Sequence, residues 1–416
     1  MSTPSTTVEI AFNSPFNSFT LDDATKGVLD NTNFTLGGDV LTDITQYVRA
    51  VDVRRGKSRI LDDLFQTGTA NLVLDNRARI FDPTVGTAVS PYAGQIEPRR
   101  EVSIKTSGSA VYNGQITDWN FDYSLGGDAT AQVLVADAFA ALSQTTLSTS
   151  FAPSSQLSSA RVESVLSRPE VAWPADRRSI ATGNATLSAA TATPENTNVL
   201  NYLNTVAISE AGAFFTNKEG DLQFDARNQA PTSLALFTFS DDGAALTVPY
   251  TEIQVEYGSE LLFNRIVVTR DGGTDQIVSD ATSQASYGVL TNTLNTFLNT
   301  DADSLALANF TLGLRKDPVV RFSSLTVALE ALTTTQQGQV LGLELNDVVT
   351  VKFLPSRAFS PVGVAIEQFC FIENIEHSIQ VDRHRIRFGL GATARALLIL
   401  DDAVFGKLDD NKLLGF

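Results

Sequence analysis

Two histidines and a single cysteine are the residues of this 416-residue chain best suited to acid–base, nucleophilic or metal chemistry. A tight turn at Asp382-Arg383 predicts a hairpin that brings His384 opposite Val381. His377 would then lie about four residue pairs further along, so the two histidines are not expected to share a metal ion. Cys370 lies an odd number of residues from His377, which places the two on opposite faces of a regular strand and argues against a Cys–His dyad. We expect ordinary packing positions for all three residues.

Other patterns resemble parts of known sites, but each lacks a required feature. Gly56-Lys57-Ser58 ends like a phosphate-binding loop, but Val51 stands where the first glycine of that loop should be. Asp301-Ala302-Asp303 resembles the start of a calcium loop without its glycine at the sixth position, so a helix cap accounts for it better. Adjacent carboxylates occur in turn-like surroundings and point apart on a strand; these are Asp62-Asp63, Asp241-Asp242, Asp401-Asp402 and Asp409-Asp410. The sequence predicts no catalytic, cofactor or metal site, and therefore a protein that is not an enzyme.

Basic side chains are concentrated between residues 49 and 59, in a chain with a formal net charge of -17. The alternation of charged and apolar residues from Arg49 to Arg54 fits a strand whose charged side meets an acidic neighbour. A basic run could contact phosphate, but a solvated edge or a salt-bridged subunit contact is the more frequent arrangement. The candidate subunit-interface residues are Arg49, Arg54, Arg55, Lys57 and Arg59.

The remaining composition is that of a globular protein. Hydrophobic residues make up 43% of the chain and charged residues 19%, which allows sizeable cores in two or three domains. The negative charge disfavours nucleic-acid binding, which depends on Lys and Arg. A single cysteine allows no internal disulfide. The polar N-terminal residues and the lack of a long apolar run predict neither a signal peptide nor a membrane span, so we expect synthesis in a cytosol.

Strands must position most of these residues, and one strand pattern occurs twice. Each copy alternates β-forming with polar residues, as strands with one buried face do. The first copy comprises Val102–Lys105, Gly114–Trp119 and Gln132–Ala136, and the second comprises Val349–Lys352, Phe371–Glu376 and Arg385–Gly389. The repeat predicts two similar β-domains, with Ile116 and Ile375 on equivalent strands.

The predicted fold is mainly β with an α/β insertion, in which two similar β-barrel domains flank a middle α/β domain. Helix signals indicate helices over residues 159–167, 196–210 and 301–315, and a hairpin follows the second of these. The predicted parts are an N-terminal segment with the first barrel (1–147), the middle α/β domain (148–248), the second barrel with a helix (249–397) and a C-terminal tail (398–416).

Several short segments near the two ends of the chain carry a family resemblance. They are Arg54–Lys57, Gly68–Arg77, Phe81–Pro83, Ser90–Tyr92, Pro98–Val102, Gly114–Trp119, Asp402–Asp409 and Leu414–Phe416. Together they resemble the minor tail proteins of long-tailed bacteriophages, while the middle of the chain is not covered. The resemblance implies a tail hub protein, similar in architecture to the baseplate hub of contractile phages. Such hubs carry two tube-like barrel domains per chain and assemble as trimers.

The resemblance further implies a structural function in the virion, at the distal end of the tail. Three chains would present six barrel units to a hexameric tail tube or distal tail ring, and threefold symmetry to a tip, spike or fibre protein. Phage DNA would pass through the lumen without specific binding, and the acidic charge would keep it from sticking. No cofactor is expected.

A cell-wall-degrading or glycan-binding tail-tip protein is the alternative. A hydrolase would need converging carboxylates in a cleft, and a glycan binder would need exposed aromatic platforms. Trp119 and Trp173, the two tryptophans, lie in contexts that predict core packing. Neither alternative explains the repeat. Because the chain stops at Phe416, soon after the second predicted barrel, we expect no lytic domain.

Overall fold

The computed structural model describes residues 3–12, 41–58, 64–227, 238–243, 247–354 and 366–392. Within these ranges the chain is mainly β, as the sequence predicts. Arg59, Asp62-Asp63 and the predicted C-terminal tail lie outside the described residues.

The N-terminal part forms an antiparallel sheet. Its strands are β1 (Thr6–Ala11), β2 (Leu41–Asp43), β3 (Val48–Gly56), β4 (Gln66–Asp75), β5 (Glu101–Thr106), β6 (Ser109–Tyr123) and β7 (Ala129–Ala136). Neighbouring strands follow the order β3-β4-β7-β6-β5-β1-β2. Alternate residues of the central strands are buried, such as Leu72 on β4 and Val133 on β7, and this alternation is what made the strands visible in the sequence.

The middle of the chain combines helices with small sheets. Its elements are α1 (Ala138–Ser143), β8 (Gln156–Leu157), α2 (Ser158–Leu166), β9 (Arg178–Ile180), β10 (Thr186–Leu187), α3 (Val199–Glu210), β11 (Ala213–Thr216) and β12 (Leu222–Asp225). Strands β11 and β12 form the predicted hairpin, and β9 adds to it in parallel. Helix α3 begins after Asn198, whose side chain accepts a hydrogen bond from the Asn201 N–H, and it ends at Ala211 in the left-handed conformation.

The C-terminal part holds a second large set of strands. Its elements are β13 (Thr238–Ser240), β14 (Thr247–Val248), β15 (Glu252–Glu256), β16 (Arg265–Arg270), β17 (Gln276–Ser279), α4 (Ala281–Tyr287), β18 (Thr291–Thr296), α5 (Asp301–Arg315), β19 (Arg321–Ala328), α6 (Thr334–Gly342), β20 (Val348–Phe353), β21 (Ile366–Gln380) and β22 (Arg383–Ala392). Strands β17-β16-β18 form a separate sheet that packs against α5 around its own small core.

Helix α5 is the third predicted helix, but its cap differs from the prediction. Thr300, rather than Asp301 or Asp303, is the N-cap, and its hydroxyl accepts a hydrogen bond from the Asp303 N–H at 3.1 Å. The helix already begins at Asp301, so that carboxylate is free to pair with Arg270 at 2.6 Å instead.

The predicted repeat is present as a repeated strand order. The order β3-β4-β7-β6-β5 in the first unit matches β15-β19-β22-β21-β20 in the second, and both units are antiparallel. Matching hydrogen bonds fix the alignment. Ile116 on β6 exchanges bonds of 2.7 and 2.9 Å with Arg99 and Arg100, while Ile372 on β21 exchanges bonds of 2.7 and 2.9 Å with Asn346 and Asp347. Arg99 and Asn346 both have positive φ, of 62° and 69°.

A β-bulge follows the matched isoleucine in each unit, between Ile116 and Asp118 in β6 and between Ile372 and Asn374 in β21. Ile116 and Ile375 therefore lie on equivalent strands, as predicted, but the residue that matches Ile116 is Ile372. The two units are thus alike in strand order, backbone bonding and the position of the bulge.

The two-barrel arrangement predicted from the sequence is not confirmed. In the part of the chain that the structure describes, the sheets are open and none closes on itself. Closure of the first unit would require its terminal strand β3 to pair within that unit. Strand β3 pairs instead with β21 of the second unit, which joins the two units into one sheet over a shared core.

Candidate functional site

The junction between β3 and β21 is the feature that holds the two repeated units together. The strands pair antiparallel from Ala50 opposite Gln380 to Gly56 opposite Asn374. The apolar side chains of the junction are almost fully buried, with Val51 1% and Ile375 2% exposed. Burial of this kind makes the junction part of the core rather than a contact between separate domains.

The predicted basic cluster lies on and beside this junction. Arg55 is 2% exposed, and its guanidinium pairs with the Glu344 carboxylate at 2.6 Å. Lys57 pairs with Glu373 of β21 at 2.8 Å, and Arg54 approaches Glu376 of the same strand at 3.4 Å. The acidic neighbour expected from the sequence is therefore a strand of the same chain.

Arg49 is also paired within the chain. Its guanidinium donates two hydrogen bonds to the Asp128 carboxylate, at 2.7 and 3.1 Å, and lies 3.3 Å from Asp75. The hydrogen bonds that Arg49 donates to Asp128, together with the interaction with Asp75, raise the pKa of this guanidinium further above its ordinary value. Each described member of the cluster thus has an intrachain partner, and contact with another subunit stays a prediction.

Glu344 was not identified from the sequence, although it connects three parts of the molecule. One carboxylate oxygen accepts from Arg55 and from the Leu345 N–H at 2.7 Å, and the other accepts from the Lys218 N–H at 2.8 Å. The ammonium of Lys218 in turn donates to the Gly342 carbonyl at 2.8 Å, at the end of α6. No local sequence signal could reveal this, because the partners are more than 100 residues apart.

The two histidines lie together, contrary to the sequence prediction. His377 Nδ1 and His384 Nε2 are 3.0 Å apart in the buried interior. The turn uses Val381-Asp382, one residue earlier than predicted, so that His384 lies opposite Ile379, two residue pairs from His377 rather than four. Burial, with the neighbouring imidazole and cations, lowers the pKa of His377 well below its ordinary value. Burial alone lowers the pKa of His384 to about 4.

The parity argument for Cys370 and His377 is also wrong. The bulge in β21 adds one residue between them, so both side chains are buried, at 0% and 6% exposure. Burial raises the pKa of the Cys370 thiol to about 12, which keeps it protonated and unreactive at neutral pH.

A buried carboxyl group supports the first unit from inside. Asp137 accepts hydrogen bonds from the Gly68 N–H at 2.7 Å and from the Phe139 N–H at 3.0 Å, at the start of α1. Burial raises its pKa to about 7. Its role as an N-cap and a strand anchor explains its position without catalysis.

The polar face of the shared sheet bears a shallow concavity of about 620 Å³. Its lining includes Arg54, Arg385 and Arg387 together with Asp52 and Glu376. The Glu376 carboxylate lies between two of these cations, 3.4 Å from Arg54 and 3.7 Å from Arg387. This face therefore carries charges of both signs, although the chain as a whole is acidic.

The tryptophans occupy packing positions. The Trp119 indole donates to the Glu97 carbonyl at 3.2 Å and stacks with Phe81, while the Trp173 indole donates to the Arg177 carbonyl at 2.9 Å. Among the described residues, no group of three or more His, Cys, Asp or Glu side chains could hold a metal ion. No helix in the described ranges is long and apolar enough to cross a membrane.

No protein-family model matches the chain, and no curated protein matches it. Solved structures do. The chain is similar to a tail protein from Neisseria meningitidis MC58, with a TM-score of 0.58 and 11% identity over 93% of this chain and 96% of that one. It is also similar to the 43 kDa tail protein of prophage MuSo2 from Shewanella oneidensis, with a TM-score of 0.56 and 10% identity over 94% and 97% of the two chains.

The chain therefore has a fold similar to that of these two tail proteins along nearly its whole length, in agreement with the resemblance to tail proteins noted in the sequence. Both similar structures are tail proteins.

Proposed function

We propose that this protein is a structural component of a phage tail, and specifically a tail hub at the distal end of the virion. Three chains would form a pseudo-sixfold ring that joins a hexameric tail tube or distal tail ring to a tip, spike or fibre protein. Phage DNA would pass through the central channel.

The observation that carries the proposal is the pair of units with the same strand order, joined edge to edge through β3 and β21. A chain that holds two equivalent units can meet six equivalent positions of a ring with three copies. The similarity in fold to tail proteins supports this proposal, because a threefold ring with six equivalent units could bind a hexameric tail ring.

The charged face of the shared sheet fits the wall of such a channel. Two carboxylates lie among its three arginines and interrupt them, so the face offers no continuous basic track for the phosphates of DNA. Arg49, whose side chain is 32% exposed, is the member of the basic cluster that we propose for contact with a neighbouring subunit, because Arg54 lies on the face that we propose for the channel wall.

Sedimentation of the purified full chain tests the ring. We expect three chains per particle at high protein concentration, and electron microscopy of that particle should reveal a ring of six similar densities around a channel. A chain that stays monomeric at every concentration, or a ring of any other number of chains, would refute the hub proposal. Degradation of peptidoglycan by the same preparation would favour the hydrolase instead.

A further inference from the structure

The second half of β6 has an open edge. Strand β6 pairs with β7 along one side, while on the other side the bonds to β5 and its preceding turn end at Ile116. From Thr117 to Tyr123 no strand in the described ranges covers that side. An uncovered edge presents alternate N–H and C=O groups that can accept another strand.

Strand β15 also has an open edge. It pairs with β19 alone among the described strands, and its outer side is exposed. Val255 is 40% exposed and Tyr257, just past the strand, is 67% exposed. Tyr123 at the end of the β6 edge is 53% exposed. Both edges therefore carry large apolar side chains in contact with solvent.

The repeat identifies these two edges as partners. Strand β15 is the counterpart of β3, and β6 is the counterpart of β21. The shared bulge aligns Trp119 with Ile375, Phe121 with His377 and Tyr123 with Ile379. Within the chain, that half of β21 is covered by β3. The equivalent contact, between β15 and β6, is not made within one chain.

We propose that the β6 edge pairs antiparallel with the β15 edge of a second copy of this chain, repeating the β3–β21 junction between subunits. Six strands lie between β15 and β6 in the shared sheet, so the two edges are well separated within one chain. A contact between one edge of a chain and the different edge of its neighbour is heterologous, and three such contacts close into a ring when each neighbour is rotated by about 120°. This inference rests on the proposed hub function and assigns the edges that build its ring.

The register transferred from the internal junction is compatible with the charges. It places Asn120 opposite Val255, Trp119 opposite Glu256 and Asp118 opposite Tyr257. Beyond the bulge of the β15–β19 pair, Asp122 falls opposite Gln254. No two carboxylates face each other directly in this register, although both edges are acidic. Direct opposition of like charges would have destabilised the pairing.

Disulfide trapping between variants that each carry one added cysteine tests the pairing in the full chain, where the native Cys370 is buried. Asn120→Cys and Val255→Cys are made in separate chains, mixed and oxidised. Facing positions on paired strands lie within the range that a disulfide spans. We expect the mixture to shift from one-chain to two-chain mass, and the double variant N120C/V255C to form a covalent trimer. The control mixes N120C with Tyr287→Cys, an exposed site on α4, and should stay at one-chain mass.

The outcomes separate this inference from the hub proposal. A trimer in sedimentation without the N120C–V255C bond would overturn the edge pairing and leave the hub intact. Equal trapping in the Y287C control would also overturn it, because the bond would then report collision alone. The absence of any trimer would overturn both. Far-ultraviolet circular dichroism that matches the parent chain confirms that each variant is folded.

Discussion

At the scale of single residues, the charge of the paired imidazoles of His377 and His384 depends on the fold. In water each imidazole would gain a proton as the pH falls below about 6.5, whereas the buried His384 has a pKa of about 4. The unfolded chain therefore binds more protons than the folded chain between these values. The contribution of the neutral histidines to the free energy of unfolding is fully present above about pH 6.5, and it is lost as the pH falls towards 4.

We predict that the free energy of unfolding drops on the order of 2 kcal/mol more in the parent chain than in the double variant H377Q/H384Q between pH 7 and pH 4.5. Urea unfolding at each pH measures it. The double variant is expected to be less stable at pH 7 because glutamine fits the site less well. Identical pH dependence in the two proteins would mean that the histidines do not couple folding to protons.

Arg55 is charged, as the sequence pattern indicates, but its side chain is buried rather than on the surface. The sequence predicts a charged side of a strand, and the structure places this guanidinium in the interior against Glu344. A buried ion pair gains little over apolar packing but is costly to break. Its role is therefore to fix how the first unit, Lys218 and α6 meet.

At the scale of elements, the bulge in β21 decides which side chains meet. One added residue reverses the alternation. Even-numbered residues such as Cys370 are therefore buried before the bulge, and odd-numbered residues such as His377 are buried after it. This is why a strict period of two failed for Cys370 and His377. The same bulge in β6 is the marker that relates the two units.

Gly56 occupies a position at the β3–β21 junction that only glycine can fill. Its φ is +108°, and an added Cβ would lie 2.3 Å from the Glu373 carbonyl oxygen. We predict that Gly56→Ala lowers the free energy of unfolding by about 3 kcal/mol, because strain and a backbone clash occur together. Chemical denaturation measures the loss.

The matched control is Gly86→Ala, where an added Cβ would meet nothing within 4 Å. It should change stability by less than about 0.5 kcal/mol. A Gly56→Ala protein as stable as this control would mean that the strands can separate at Gly56 without cost.

At the scale of the whole molecule, the two units form one folding unit, since they share a sheet and a core. We predict that amides of β4 in the first unit and β22 in the second exchange with solvent through the same opening, with equal free energies. Hydrogen exchange followed by mass spectrometry measures this. The separate sheet of β16–β18 has a core of its own and should exchange through an opening of lower free energy.

Clearly different free energies for β4 and β22 would contradict the shared unit and restore two independent domains. In that case the β3–β21 pairing would be a docking contact rather than part of one core.

The sequence by itself determined the β-rich class, the helices and the repeat, because side-chain periodicity and cap residues are local properties. It also indicated the likeness to tail proteins. The position of the turn before His384 and the partner of β3 were decided only in the tertiary structure. A bulge or a shift of one residue costs little locally but redirects every side chain beyond it. Pairing between strands more than 300 residues apart, such as β3 and β21, depends on the packing of the whole chain.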